Sequence, residues 1–377
     1  MTYHINSLEK DGLASGVFDS IRFLAAFCVL TGHSVSRFFG AYNPESNTGI
    51  TEQLFRVIFA GYGSPAVMIF FVMSGLFIGT STIIAFNKNN FNLRNYILRR
   101  LLRLWIVVIP GLVLTLILDY IGITFFTNDL MYSNSDSLGS IDVNNLNMQS
   151  FIGNLLFVQT ILVNPFGTNG ALWSLANEFW YYMAFPFLFM IFTPISRLKK
   201  VSCLGVLLLL GMFVGVDISM LFIIWLFGVL TVTINWPDYF GGSKVLFGLL
   251  FMFLAVMVYH RLFTITDDKL IERFLIGILF LGFVISLVKN DRKINSEASW
   301  FVTSRKLAAF SFTLYVIHTP VISLARALLI GSENYWRVTM PNITLFLLVL
   351  AMAVLISKLI ADYSENYTHI IYRKLGI

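Results

Sequence analysis

Apolar runs long enough to cross a lipid bilayer recur along almost the whole chain, and that recurrence limits the fold more than any other feature. A hydrocarbon core about 30 Å thick needs about 20 helical residues to cross it. Backbone groups in lipid must bond within the protein, which leaves helices or a closed barrel, and the runs lack the two-residue alternation of barrel strands. Runs at 18–38, 62–86, 103–126, 171–193, 200–216, 218–235, 244–262, 271–288, 307–330 and 342–362 predict an all-α, polytopic membrane helical bundle of ten spans. The chain then reads as one membrane domain over 1–377, with tails at 1–17 and 364–377 around a bundle at 18–363. Only Asp217 separates the fifth and sixth runs, and the apolar piece 151–163 is too short to span and reads as a re-entrant segment.

Composition agrees, with 57% hydrophobic and 12% charged residues. The net charge of +6 does not imply nucleic acid, because the basic residues fall on alternate loops: Lys88 to Arg103, Arg197 to Lys200, Lys289 to Lys306, and the tail pair Arg373 and Lys374. Under the positive-inside rule those loops are cytoplasmic, which puts both termini in the cytoplasm of a multi-pass protein of the inner (plasma) membrane. The loop 128–150, with Asp129, Asp136 and Asp142 and no basic residue, suits the outer side. The polar first seventeen residues read as a tail rather than a cleaved signal. Cys28 and Cys203 have no ligand spacing, so no metal site is expected, and oligomeric state is left open.

Ionisable groups inside a span are costly and mark functional candidates. In "FDSIRFLAAFCVLTGHS", residues 18–34, Arg22 and His33 share one helical face about 16 Å apart, and Asp19 stands three residues before Arg22, where an ion pair can form. The alternative is a snorkelling pair with a bonded core histidine. Glu178 in "LWSLANEFWYYMAFPFL" lies at nearly the same depth as His33, and a carboxylate beside an imidazole orients a general base; a glutamate bonded independently to Trp or Tyr donors explains it equally simply. In "FFVMSGLFIG", Ser74 leaves room for a ligand or serves close helix packing. Arg99, Arg100 and Arg103 in "RRLLRLWIVVIP" suit a phosphorylated cofactor or lipid headgroups. Tyr315 and His318 in "FSFTLYVIHTPV" are a second candidate pair, with a bonded core histidine as the plain alternative for His318. Trp173, Trp180 and Tyr182, with Tyr181, offer stacking surfaces for a sugar ring, although interfacial aromatics need no ligand.

The order of these segments, "FDSIRFLAAFCVLTGHS", "FFVMSGLFIG", "RRLLRLWIVVIP", "LWSLANEFWYYMAFP" and "SFTLYVIHTPV", resembles the acyltransferase-3 family of integral-membrane acyltransferases across essentially the whole chain. The resemblance implies a ten-span domain that passes acyl groups, usually acetyl from cytoplasmic acetyl-coenzyme A, to a hydroxyl of a surface or exported glycan such as O-antigen, exopolysaccharide or capsule. It implies that His33 is the catalytic histidine with Arg22 as its motif partner, that Arg99, Arg100 and Arg103 meet the cofactor phosphates, and that Glu178 is the acidic residue of its block. Ser20 replaces a frequent glycine, and Phe179 and Trp180 stand where a second acidic residue and a glutamine often follow. No SGNH-type esterase domain is visible.

The expected partners are therefore acetyl-coenzyme A or another acyl-coenzyme A as donor, a glycan or lipid-linked glycan as acceptor, and membrane lipid, with no metal and no nucleic acid. Two rivals remain at this stage. A transporter or flippase of a glycan-linked lipid also uses intramembrane charges, but its internal repeat is not visible. A structural partner of a polysaccharide synthase has no need of His33.

Overall fold

Short polar residues start several of the helices. Asn92 accepts from Asn95 N at 3.0 Å, Asn147 from Ser150 N at 2.9 Å and Asp268 from Leu270 N at 2.8 Å, each satisfying a backbone donor that the first turn leaves free. The computed structural model describes residues 9, 11–40, 49–133, 143–262, 268–331 and 335–375, so Asp136, Asp142 and residues 1–8 lie outside it. The described residues form a helical bundle: α1 (Leu13–Phe39), α2 (Ile50–Phe59), α3 (Gly63–Asn87), α4 (Leu93–Phe125), α5 (Met148–Leu155), α6 (Trp173–Ile191), α7 (Arg197–Thr233), α8 (Ser243–Leu262), α9 (Lys269–Lys289), α10 (Ser299–Ala308), α11 (Ser311–Ile330), α12 (Met340–Ser364) and α13 (Thr368–Leu375). Among them, seven helical segments are long and apolar enough to cross a membrane.

Several boundaries differ from those read in the sequence. The first helix starts at Leu13, five residues early, because Asp291 caps it from a distant loop by accepting from Ala14 N at 2.9 Å. Arg94, Arg99 and Arg100, read as lying before the third span, belong to α4 itself, which Asn92 starts ten residues early. Within α7 the break falls at Gly215, whose φ of +83° is open to glycine, rather than at Asp217. A continuous helix of 37 residues would run about 55 Å, nearly twice the hydrocarbon thickness, so the break divides it into two lengths near 18 residues. The residues after 363, read as a tail, contain α13, whose Tyr372 hydroxyl donates to the Arg99 carbonyl at 3.0 Å.

The piece at 151–163 folds as the end of α5 and an irregular turn. Its backbone is satisfied by side chains: Trp105 Nε1 donates to Leu155 O and Trp180 Nε1 to Phe157 O, both at 2.9 Å. Irregular backbone bonded in this way meets the requirement the sequence imposed on it.

α11 is the central helix, packed against α1, α4 and α12, and its apolar window is 83% buried. α3 crosses α7 through Gly75 and Gly228, where a Cβ on either would run into the other helix's backbone. Small residues at such a crossing are how membrane helices approach closely. The N-terminal segment pairs with the loop after α9 through the Gly12–Lys293 bridge, and Arg305 meets Asp11 at 2.7 Å. Arg103 of α4 meets Glu365 after α12 at 3.1 Å. The start of α1, the start of α4 and the end of α12 thus share one end of the bundle, called the arginine end below.

Candidate active site

At the arginine end, α1, α3, α4, α6 and α11 enclose a cavity of about 300 Å³. Arg22, Arg100 and Arg103 give its lining positive groups, and Ser74, Glu178 and Tyr182 add polar ones. These six residues come from α1, α3, α4 and α6, and the Gly75–Gly228 crossing helps set the register. Trp225 of α7 donates its Nε1 to Ser74 Oγ at 3.1 Å; Ser74 Oγ meets the Tyr182 hydroxyl at 3.1 Å, and that hydroxyl donates to Glu178. Glu178 is therefore held by hydroxyls, with Arg22 and Arg103 within electrostatic reach.

The arginines are not equivalent. Arg22 pairs with Asp19 at 3.7 Å, as the three-residue spacing requires. Arg100 donates to Ser81 at 3.1 Å and lies over the Tyr96 ring, and Arg103 is held by Glu365. Arg99 is exposed and does not line the cavity. Neither do the two tryptophans read as stacking surfaces: Trp173 packs edge-on against Phe71 with the Arg273 guanidinium over its ring, and Trp180 is committed to Phe157 O, Phe179 and Phe213.

Tyr315 forms the inner wall, its hydroxyl 2.6 Å from Ser174 Oγ and donating to Ala171 O at 3.2 Å. Beyond it the imidazoles of His33 and His318 face each other, ring centroids 5.3 Å apart, and Tyr315 lies 6.0 Å from His318. His318 Nδ1 is 2.8 Å from Tyr315 O and 3.2 Å from Leu314 O. A carbonyl accepts only, so Nδ1 carries the proton and Nε2 presents a lone pair; Nε2 is buried without a partner. The imidazole partner of His33 is thus His318, not Glu178: no hydrogen bond or ion pair joins Glu178 to His33 among the described residues. Matching depth along two helices leaves their rotation free, and rotation turns Glu178 toward Ser74 and Tyr182.

A second polar cluster continues past the histidines, away from the arginine end. Arg37, one turn beyond His33, is 3% exposed. Asp119 of α4 is fully buried and accepts from Thr168 N and Oγ1, both at 2.7 Å. Asn169 donates to Val316 O at 2.9 Å and to Thr115 Oγ1 at 3.1 Å. Arg326 and Asp129 form a wholly buried ion pair. Sequence reading passed over Arg37, Asp119 and Arg326, although Asp119 and Arg326 each interrupt an apolar run and were visible by the rule that singled out His33 and Glu178.

The cavity with its arginines, and the histidine pair beyond Tyr315, lie within a bundle of helices long enough to cross a membrane. The acyltransferase domain model of the acyltransferase-3 family matches residues 16–362, so the chain belongs to that family and is a membrane acyltransferase. No curated protein and no solved structure matches it significantly.

Proposed function

We propose that this acyltransferase takes an acyl group, acetyl in the first instance, from a coenzyme A thioester entering at the arginine end and passes it to a hydroxyl of a surface or exported glycan. The observation that carries the reading is that one cavity is lined by Arg22, Arg100 and Arg103 and also by Tyr315, which adjoins the His33–His318 pair. A volume near 300 Å³ is at the small end for ligand pockets and suits the narrow pantetheine arm, with the nucleotide outside at the basic rim. Arginine is the fitting residue there, because its planar fork matches phosphate oxygens. In this reading the arginine end faces the cytoplasm, where the donor is made, and the membrane is the inner (plasma) membrane.

His33 takes the proton from the acceptor hydroxyl, and the oxygen attacks the thioester carbonyl. The C–O bond forms, the C–S bond breaks, and the imidazolium returns its proton to the departing thiolate. His318, with its proton held at Nδ1, offers its Nε2 lone pair to the acceptor hydroxyl or to the His33 imidazolium. Glu178 offsets Arg22 and Arg103, and Glu365 pairs with Arg103, so that phosphate binding is concentrated on Arg100. Movement of Tyr315 off Ser174 and Ala171 joins the cavity to the histidines.

Purified protein in lipid nanodiscs, radiolabelled acetyl-coenzyme A and a set of envelope glycans test the reading. Label in the glycan, dependent on protein, is the expected result. No transfer and no donor hydrolysis with any glycan would refute it and favour a transporter.

A further inference from the structure

Three buried polar groups at and beside the histidine pair have unused hydrogen-bonding capacity, and they converge from α1, α11 and the turn after α4. Arg37 of α1 spends Nη2 on a long 3.4 Å contact to Thr168 O and leaves Nε and Nη1 without a partner. The Tyr132 hydroxyl, in a residue 4% exposed, faces the Asp119 carboxylate and keeps its oxygen lone pairs free. His318 Nε2 has no partner. Unsatisfied buried donors are rare in native proteins because each carries its full desolvation cost. Here a guanidinium and an imidazole lone pair do so together beside a phenol oxygen, and Arg37 lies within electrostatic reach of both histidines and of Tyr132.

The surroundings are rigid. Thr168 and Asn169 clamp α4 to α11 through Asp119, Thr115, Val316 and Thr319, and the backbone at Gly167, φ +54°, approaches Asp119 so closely that a Cβ would strike its carboxylate. Arg326 donates Nε to Arg37 O at 2.9 Å and fixes that turn of α1. The α1 turn and α11 hold Arg37 and His318 on fixed backbone, and Tyr132 stands on the turn after α4, where its N–H donates to Asp129 O at 3.0 Å.

We propose that Arg37, Tyr132 and His318 Nε2 form the subsite that receives the hydroxyl-bearing ring of a neutral sugar acceptor. The guanidinium N–H groups donate to ring or hydroxyl oxygens, the phenol bridges a second hydroxyl, and the Nε2 lone pair accepts from a third. The charges select a neutral ring over an acidic one: Arg326 is balanced by Asp129 and Arg37 by nearby Asp119, so a carboxylate would enter without a free counter-charge. The inference rests on the acyl-transfer reading above and adds the acceptor's class and its seat.

The test is saturation-transfer NMR on the full chain in nanodiscs, without donor. The probes are the methyl glycosides of glucose, galactose, mannose, rhamnose and N-acetylglucosamine, with methyl glucuronide and methyl galacturonide as acidic counterparts. At least one neutral glycoside is expected to bind more tightly than either uronide. Arg37→Gln is expected to weaken that binding by about tenfold or more, as loss of hydrogen bonds from a charged donor does. Arg37→Lys should recover part of it. Tyr132→Phe, which removes one oxygen and keeps the packing of the ring against Gly122, should weaken it about threefold or more. No neutral glycoside binding to the wild type, equal binding by Arg37→Gln and Tyr132→Phe, or tighter binding of a uronide each overturns the proposal. Because no donor is present, sugar binding that persists while acyl transfer fails refutes the transfer reading and leaves the subsite standing.

Discussion

Substitution of Gly75 by alanine should damage both the fold and the cavity, because the α3–α7 crossing and the Glu178 network share a backbone turn. A Cβ on Gly75 would collide with the Trp225 carbonyl, which is helix backbone and has no soft direction in which to yield. The two helices must separate. Overpacking of this kind costs about 1–3 kcal/mol, and loss of the Trp225–Ser74 hydrogen bond adds about 1 kcal/mol. A combined cost of about 2–4 kcal/mol corresponds to about a 3–5 °C fall in melting temperature for a chain of this length. Gly205→Ala is the control: it lies in α7 with nothing within 4 Å of the added Cβ, so the better helix propensity of alanine should leave stability unchanged or raise it by about 0.5 kcal/mol. Thermal melting in detergent and donor KM are measured on both variants. Equal melting temperatures for Gly75→Ala and Gly205→Ala would refute the crossing geometry.

Other substitutions separate the roles of individual side chains. Arg100→Gln should raise the KM for acyl-coenzyme A about tenfold or more, whereas Arg99→Gln, which alters an exposed side chain outside the cavity, should change it less than about twofold. Asp129→Ala should cost about 3–5 kcal/mol of stability by stranding Arg326, and Asp129→Leu with Arg326→Met should recover most of it, as read by denaturation of the single and double variants. His318→Gln should lower kcat about tenfold to a hundredfold at unchanged donor KM, since it removes the Nε2 lone pair without touching the cavity lining.

Much of this arrangement is legible in the chain. Runs of apolar residues give the bundle, and the rule that buried charges are costly finds Arg22, His33 and Glu178. The i, i+3 spacing gives the Asp19–Arg22 pair. What the sequence leaves open is azimuth, the direction in which each helix turns its side chains toward the others. Depth placed Glu178 beside His33, and packing placed His318 there instead. Arg99, Arg100 and Arg103 look equivalent in "RRLLRL", yet α4 turns Arg100 and Arg103 inward and leaves Arg99 outside. Trp173 and Trp180 read as stacking surfaces because nothing in the sequence says that Phe71, Phe157 and Phe213 already cover them. The Asp119–Thr168 clamp depends on a contact across 49 residues that no local pattern encodes.

The central claim is that His33 performs the proton transfer that lets an acceptor oxygen attack the thioester. The rate of label transfer from acetyl-coenzyme A to glycan, measured for the wild type and for His33→Ala at matched donor saturation, tests it most directly. A fall of about a hundredfold to ten-thousandfold in kcat, with the variant's melting temperature preserved, is the predicted result. Transfer by His33→Ala at the wild-type rate would contradict it.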